Sequence, residues 1–147
     1  MEENMSNLKL FLKGNKKTKE NGFFAATKSL CDEKGNPLNW EIKPLSTRDN
    51  DRIREDCSYE VPVTGKPGMY REKLNTSLYL RKMVCASVVE PNLYDKELQD
   101  SYGVMTPEDL IVEMIDDPGE FNDFAAFIQS YNGFTETLQD KVDTAKN

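Results

Sequence analysis

Hydrophobic residues recur at two different spacings along this chain, and the change of spacing separates a strand-rich first half from a helical second half. Within residues 23–46, Trp40 and Ile42 alternate with charged neighbours, which is the period of a half-buried strand. The letters DEKGNP, rich in turn-forming residues, lie shortly before them. Two candidate strands around such a turn predict a β-hairpin with a long loop.

The segment after the hairpin is predicted to contain a solvated helix and one more strand. Ser46 is followed three residues later by Asp49, a pairing that is typical of a helix start. Further on, Tyr59, Val61 and Val63 alternate with other residues and predict a strand. The proline within this strand lacks an N–H donor, so the strand is predicted to lie at a sheet edge.

The letters NTSLYLRKMVCASVVEP, residues 75–91, give the strongest helix pattern in the chain. Asn75 or Thr76 can cap its start, and Pro91 is predicted to stop it. Residues 83–89 are apolar on nearly every side, and a helix of that kind is buried on most of its faces. We therefore expect this helix to form the centre of the core together with the hairpin tryptophan.

Three further helices are predicted in the acidic stretch that follows. The first spans Asp95 to Tyr102, Thr106 and Asp117 cap the second and third, and Pro107 and Pro118 stand at the first position of those two helices. Acidic side chains in a first turn are favoured by the helix dipole, by about 0.3–1 kcal/mol each. Helix starts therefore explain much of the acidity, and no metal site is needed to account for it.

The last of these helices carries an aromatic face. Its inward stripe is predicted from four residues at helical spacing: Phe121, Phe124, Ile128 and Tyr131. Gly133 suits the end of the helix, where Phe134 can fold back on it. Phe127 lies about 70° from the middle of the stripe, so we expect it to be partly exposed. Core packing is the simpler interpretation of the stripe, but five aromatic residues are also candidate contacts for a protein partner: Phe121, Phe124, Phe127, Tyr131 and Phe134.

Composition and charge narrow the class of protein. Residues 1–90 hold 16 Lys and Arg against 13 Asp and Glu, whereas residues 91–147 hold 3 against 13, so the net charge of −7 arises in the second half. Such acidity argues against nucleic acid as a partner. No apolar run approaches the roughly 18 residues of a membrane span. The chain has no His and three Cys without a C-x-x-C pair, which argues against zinc, a cofactor or an enzyme with an activated nucleophile.

These patterns predict one mainly helical α+β domain, in which an N-terminal β-hairpin or small antiparallel sheet packs on a helical core. Residues 1–22 are predicted to form a short helix and a Lys-rich linker. The main domain spans residues 23–134, with the hairpin and edge strand in 23–74 and the helical part in 75–134. Residues 135–147 form a polar tail. The short helix has Leu8, Phe11 and Leu12 on one side and needs to dock, since a helix of this length is unstable alone.

Three segments in this order resemble the XkdN-like tail assembly chaperones of phages and phage-like elements of Gram-positive bacteria. The letters are FLKGN, then KSLCDEKGNPLNWEIKPLS, then VVEPNLYDKELQDSYGVMTPEDLIVEMIDDPGEFNDFAAFIQSYNGF. The resemblance covers about residues 8–134. It implies a protein of the host cytoplasm that binds the phage tape measure protein before the tail tube forms, and that is absent from the mature particle.

The resemblance also implies a second product in related systems, in which a translational frameshift appends a domain that recruits tail tube subunits. Two other functions stay open: a minor structural or completion protein of the tail, and an acidic host-directed binding module. A homo-oligomer is compatible with each of these functions.

We predict that the gene of this chain contains such a frameshift site. Ala145, Lys146 and Asn147 can be encoded GCA-AAA-AAC, which holds the slippery heptamer A-AAA-AAC. Silent changes that destroy the heptamer should abolish a larger product on an immunoblot against the N-terminus. Other codons at these positions, with no slippery site nearby and no overlapping frame, would contradict the prediction.

Overall fold

The computed structural model describes residues 7–134. Residues 7–10 are helical, and a 3₁₀ turn follows at Lys13–Asn15. Five longer helices are α1 Thr47–Cys57, α2 Thr76–Ser87, α3 Lys96–Ser101, α4 Pro107–Met114 and α5 Pro118–Tyr131. The strands are β1 Gly22–Phe24, β2 Trp40–Ile42, β3 Ser58–Pro62, β4 Tyr70–Leu74 and β5 Val88–Glu90. The protein is thus an α+β single domain, as the sequence pattern predicts.

The main sheet has three antiparallel strands in the order β1-β2-β5. β1 and β2 form the predicted hairpin, with Phe24 opposite Trp40, and a bridge between Cys31 and Pro37 closes the loop that joins them. β3 and β4 form a separate two-stranded hairpin, in which Pro62 pairs with Tyr70 at the end of the ladder. β3 therefore has an open edge, as expected, whereas β4 was not predicted.

The central helix is shorter than its sequence predicts. We expected it to continue to Pro91, but α2 ends at Ser87 and the next three residues form β5. Two hydrogen bonds hold the chain at this point: the Ser87 hydroxyl donates to the Lys43 carbonyl, and the Lys43 N–H donates to the Ser87 carbonyl, both at 2.8 Å. Because Val88 and Val89 are β-branched, they suit the strand that pairs with β2.

Helix starts follow the predicted capping residues Thr106 and Asp117, and Asp95, predicted as the first residue of its helix, caps that helix instead. Asp95, Thr106 and Asp117 each accept a hydrogen bond from a backbone N–H in the first turn, at 2.9–3.1 Å. Ser46 and Asp49 form a complete capping box, with reciprocal bonds of 3.0 and 3.1 Å. The backbone N–H of Ser46 lowers the pKa of the Asp49 carboxyl, because it stabilises the ionised form.

The core lies between the main sheet and helices α2, α4 and α5. Its most deeply buried large side chains come from all of these elements: Trp40, Ile42, Met83, Leu110, Ile111, Phe124 and Ile128. Val84 of α2 is also completely buried in this cluster. The expectation that the hairpin tryptophan and the central helix share one core is therefore confirmed.

We predict that Val84→Asp prevents folding. The substitution places a carboxylate with no partner in the core, at a cost of several kcal/mol, and the total stability of a domain is only about 5–15 kcal/mol. Met105→Asp is the matched control, because Met105 is 90% exposed. Thermal melting by circular dichroism should show a cooperative transition for the control and none for Val84→Asp; a cooperative melt in both would show that α2 is peripheral.

Candidate partner-binding surface

Phe124 belongs to the core and offers no surface to a partner. Its ring centroid lies 5.6 Å from that of Phe24 and 5.6 Å from that of Trp40, and the side chain is 0% exposed. The inclusion of Phe124 among the candidate contacts was therefore wrong. The hairpin strands β1 and β2 cover the inward side of the aromatic stripe. The sequence did not predict that they pack against this face of α5.

Phe127 is half-buried, which agrees with its position beside the stripe, but its ring is already engaged. It stacks on Phe24 with centroids 4.5 Å apart and lies 6.1 Å from the ring of Tyr131. These contacts make Phe127 part of an aromatic cluster between β1 and α5. Only its remaining exposed surface is available to a partner.

Tyr131 is covered by the end of the Lys-rich linker. The Lys19 ammonium lies 4.3 Å from the centroid of the Tyr131 ring, a cation–π geometry. Gly22 approaches the same ring so closely that a Cβ atom there would stand 2.9 Å from Tyr131 Cε2. The linker is therefore fixed to α5 at its C-terminal end, a contact that nothing in the sequence pattern indicated.

Phe121, near the start of α5, lines a groove between α2, the end of α4 and α5, here called the α2–α5 groove. The groove has a volume of about 470 Å³. Six side chains that shape its floor and rim are Leu80, Arg81, Val112, Ile115, Asp116 and Phe121. The first turn of α5 brings Asn122 to its mouth, where the side chain is exposed. The groove combines an apolar floor with a charged rim, and no local sequence pattern could reveal it.

Phe134 lies at the opposite end of α5. It is 40% exposed and lines a second, smaller depression with Leu45, Met83 and Asn132. The Asn132 side chain accepts a 2.6 Å hydrogen bond from the Leu45 N–H and donates to the Ile128 carbonyl. The five predicted aromatic contacts therefore do not form one surface; only Phe121 lies in the α2–α5 groove.

A carboxylate near the groove has a structural role. Glu120 accepts hydrogen bonds from the Thr27 hydroxyl and from the Lys28 N–H, both at 2.8 Å. Thr27 is itself only 1% exposed, so this carboxylate joins the hairpin loop to the first turn of α5. The helix dipole, which favours acidic side chains in a first turn in general, does not predict these two hydrogen bonds.

The thiols differ in their surroundings. Burial raises the pKa of Cys85 to about 12, and burial is also the first cause of the raised pKa of Cys57. Both thiols therefore stay protonated near neutral pH, and the protonated form neither attacks an electrophile nor binds a metal well. Cys31 is exposed. Across residues 7–134, His, Cys, Asp and Glu side chains nowhere gather in a group of three that could hold a metal ion.

Another apolar surface lies in the N-terminal arm, defined as residues 8–12. Its exposed side chains are Leu8, Leu10, Phe11 and Leu12. Part of the predicted short helix is present, but its apolar side is not docked on the main domain. Residues 1–6 of the predicted N-terminal segment and the polar tail after Phe134 lie outside the described residues, and so does the proposed frameshift site. No helix within residues 7–134 has both the length and the apolarity to cross a membrane.

We predict that Phe127→Ala lowers stability by about 1–3 kcal/mol, because it removes two ring contacts and leaves a gap beside Phe24. Urea unfolding followed by Trp40 fluorescence measures this loss. Tyr94→Ala is a matched control, since Tyr94 is 71% exposed and should change stability little. Equal unfolding midpoints for the two variants would show that the aromatic cluster contributes nothing to stability.

Comparisons with known proteins agree with the architecture. The crystal structure of the protein YqbN superposes with a TM-score of 0.68 at 19% identity, covering 85% of this chain and 94% of that one. In sequence, YqbN of Bacillus subtilis (strain 168) is 24% identical over 145 residues, which are 99% of this chain and 96% of YqbN. The fold described above is therefore shared with a solved protein.

Two further matches concern the family. The phage-like element PBSX protein XkdN of Bacillus subtilis (strain 168) is 24% identical over 145 residues, 99% of this chain and 97% of XkdN. The family model described as phage XkdN-like tail assembly chaperone protein matches residues 8–146. This match extends past Phe134, where the resemblance seen in the sequence ended. The chain belongs to the XkdN-like family of phage tail assembly chaperones.

Proposed function

We propose that this tail assembly chaperone binds the tape measure protein in the cytoplasm of the host bacterium, keeps it dispersed while the tail tube forms, and leaves before the particle is complete. The observation that carries this proposal is the α2–α5 groove. The function requires recognition of a partner and requires neither catalysis nor a cofactor.

The groove has the shape and chemistry of a site for an amphipathic helix. Leu80, Val112 and Phe121 are each only half-buried, so their remaining apolar surface is available for contact. Arg81 and Asp116 stand beside this apolar floor and can pair with polar side chains of a bound segment. Apolar anchors spaced one helical turn apart are recognised in grooves of this kind.

The acidic surface of the helical half suits the task of keeping a partner dispersed. Residues 91–134 contain ten Asp and Glu against one Lys. Complexes that carry such a surface repel one another, which opposes their association through partner segments that are still exposed. The groove would therefore supply the contact, and the charge would supply the solubility of the complex.

The longer frameshifted product and its tail tube partner remain part of this proposal. A domain appended after the polar tail would let the groove hold the tape measure protein while the added domain brings tube subunits to it. The gene-level experiment given above tests that step separately from binding at the groove.

We predict that Asn122→Arg abolishes capture of the tape measure protein. Asn122 is exposed at the mouth of the groove, so the larger cationic side chain should obstruct the groove and leave the fold intact. Ser130→Arg, an exposed position near the other end of α5, is the matched control. Each variant is expressed together with the tape measure protein, and the soluble complex is quantified after affinity purification.

The control should recover the complex, whereas Asn122→Arg should leave the tape measure protein in the insoluble fraction. The far-UV circular dichroism spectrum of the Asn122→Arg chaperone should match that of wild type. Equal recovery by both variants would overturn the groove as the binding site. Mass spectrometry of purified tails tests the rest of the proposal, since stoichiometric amounts of this chain there would instead identify a structural tail protein.

A further inference from the structure

The N-terminal arm concentrates exposed apolar surface in five residues. Phe11 is 84% exposed, and Leu8, Leu10 and Leu12 are exposed by more than half. The arm is nevertheless folded, since residues 7–10 are helical and the Asn15 side chain donates a 2.6 Å hydrogen bond to the Lys9 carbonyl. An apolar patch held in a defined shape and rimmed by polar residues is typical of an interaction site.

We propose that the arm of one copy docks into the α2–α5 groove of a second copy, which returns its own arm to the first. The two surfaces have matching chemistry. A short segment that starts with one helical turn and carries apolar residues at close spacing suits the apolar floor formed by Leu80, Val112 and Phe121. The occupant is therefore a second copy of this chain.

The charges of the two surfaces are complementary. Residues 7–17 contain four Lys and no acidic residue, whereas residues 91–134 contain ten acidic residues and one Lys. Asp116 lies on the groove rim, and Arg81 on the α2 side is the one cation among the lining side chains. The attraction for a Lys-rich arm therefore comes from Asp116 on the rim and, at longer range, from the net negative charge of residues 91–134.

The size of the contact favours a reciprocal exchange. Specific interfaces bury about 1,600 Å² in total, which is more than a five-residue arm provides alone. Two arms in two grooves double the contact and close it under twofold symmetry, the commonest symmetry of soluble dimers.

Exchange of arms between two copies also has a consequence for binding of the tape measure protein, and this consequence rests on the proposed function. If the tape measure protein binds in the same groove, it must displace the arm of the second copy. The exchanged arm then protects the apolar floor of the free protein until the partner arrives.

Sedimentation velocity of the purified full chain tests the exchange. Wild-type protein and the control Met105→Asp should be dimers, because Met105 lies outside both the arm and the groove lining. Phe11→Asp should raise the dimer dissociation constant by roughly thirtyfold or more, as for loss of an interface hot spot. Phe11 is exposed, so the fold of each copy should be intact in all three proteins, which their far-UV circular dichroism spectra check. A monomeric wild type, or a Phe11→Asp protein that dimerises normally, would overturn the proposal.

A mixing experiment identifies the groove as the receptor. Asn122→Arg, which obstructs the groove, should also be monomeric alone. When it is mixed with Phe11→Asp, one intact arm and one intact groove are present, so a mixed dimer should form that is weaker than the wild-type dimer, because it keeps one of the two arm–groove contacts. No mixed dimer would overturn the pairing of arm and groove.

The outcomes separate this inference from the proposed function. Phe11→Asp keeps an open groove, so it should still capture the tape measure protein although it cannot dimerise. If Asn122→Arg captured the tape measure protein as well as wild type, binding at the groove would fail while the dimer results would stand.

Discussion

The burial of one ring, that of Phe124, joins the two halves of this protein. It stacks on Phe24 of β1 and meets the edge of Trp40 of β2, so the last helix and the hairpin are held by the same side chain. The hairpin strands are three residues long, and a sheet of that size is not stable by itself. Phe121 lies one turn before Phe124 on the same helix, so the packing that holds the hairpin also fixes one wall of the α2–α5 groove.

Local signals in the sequence were sufficient to predict those features of the structure that depend on contacts between residues close together in the chain. The caps at Thr106 and Asp117 depend on a side chain and an N–H two or three residues away, and both are confirmed. The change from α2 to β5 was missed because it depends on Lys43, which is distant in sequence and hydrogen-bonds to Ser87. β4 was missed for a related reason, since its alternation is hidden by charged residues on both faces of an exposed strand.

Less of the candidate site than of the fold could be predicted from the sequence. Helical spacing placed Phe121, Phe124 and Phe127 on one helix, but it could not tell which neighbour covers each ring. In the structure the sheet covers Phe124, Phe127 stacks on Phe24, and Phe121 lines the α2–α5 groove. The groove itself combines side chains from three helices, so it exists only after α2, α4 and α5 have packed together.

The close contact between Gly22 and Tyr131 has a geometric consequence for the exposed arm. The contact, with Lys19 over the same ring, fixes the place where the linker leaves the main domain. Only six residues separate Leu12 from Lys19, and a chain of that length spans at most about 25 Å. The linker is thus a tether of limited radius around the aromatic cluster. A binding site within that radius meets the arm at high effective concentration. The arm can reach a more distant site only if the linker detaches from Tyr131.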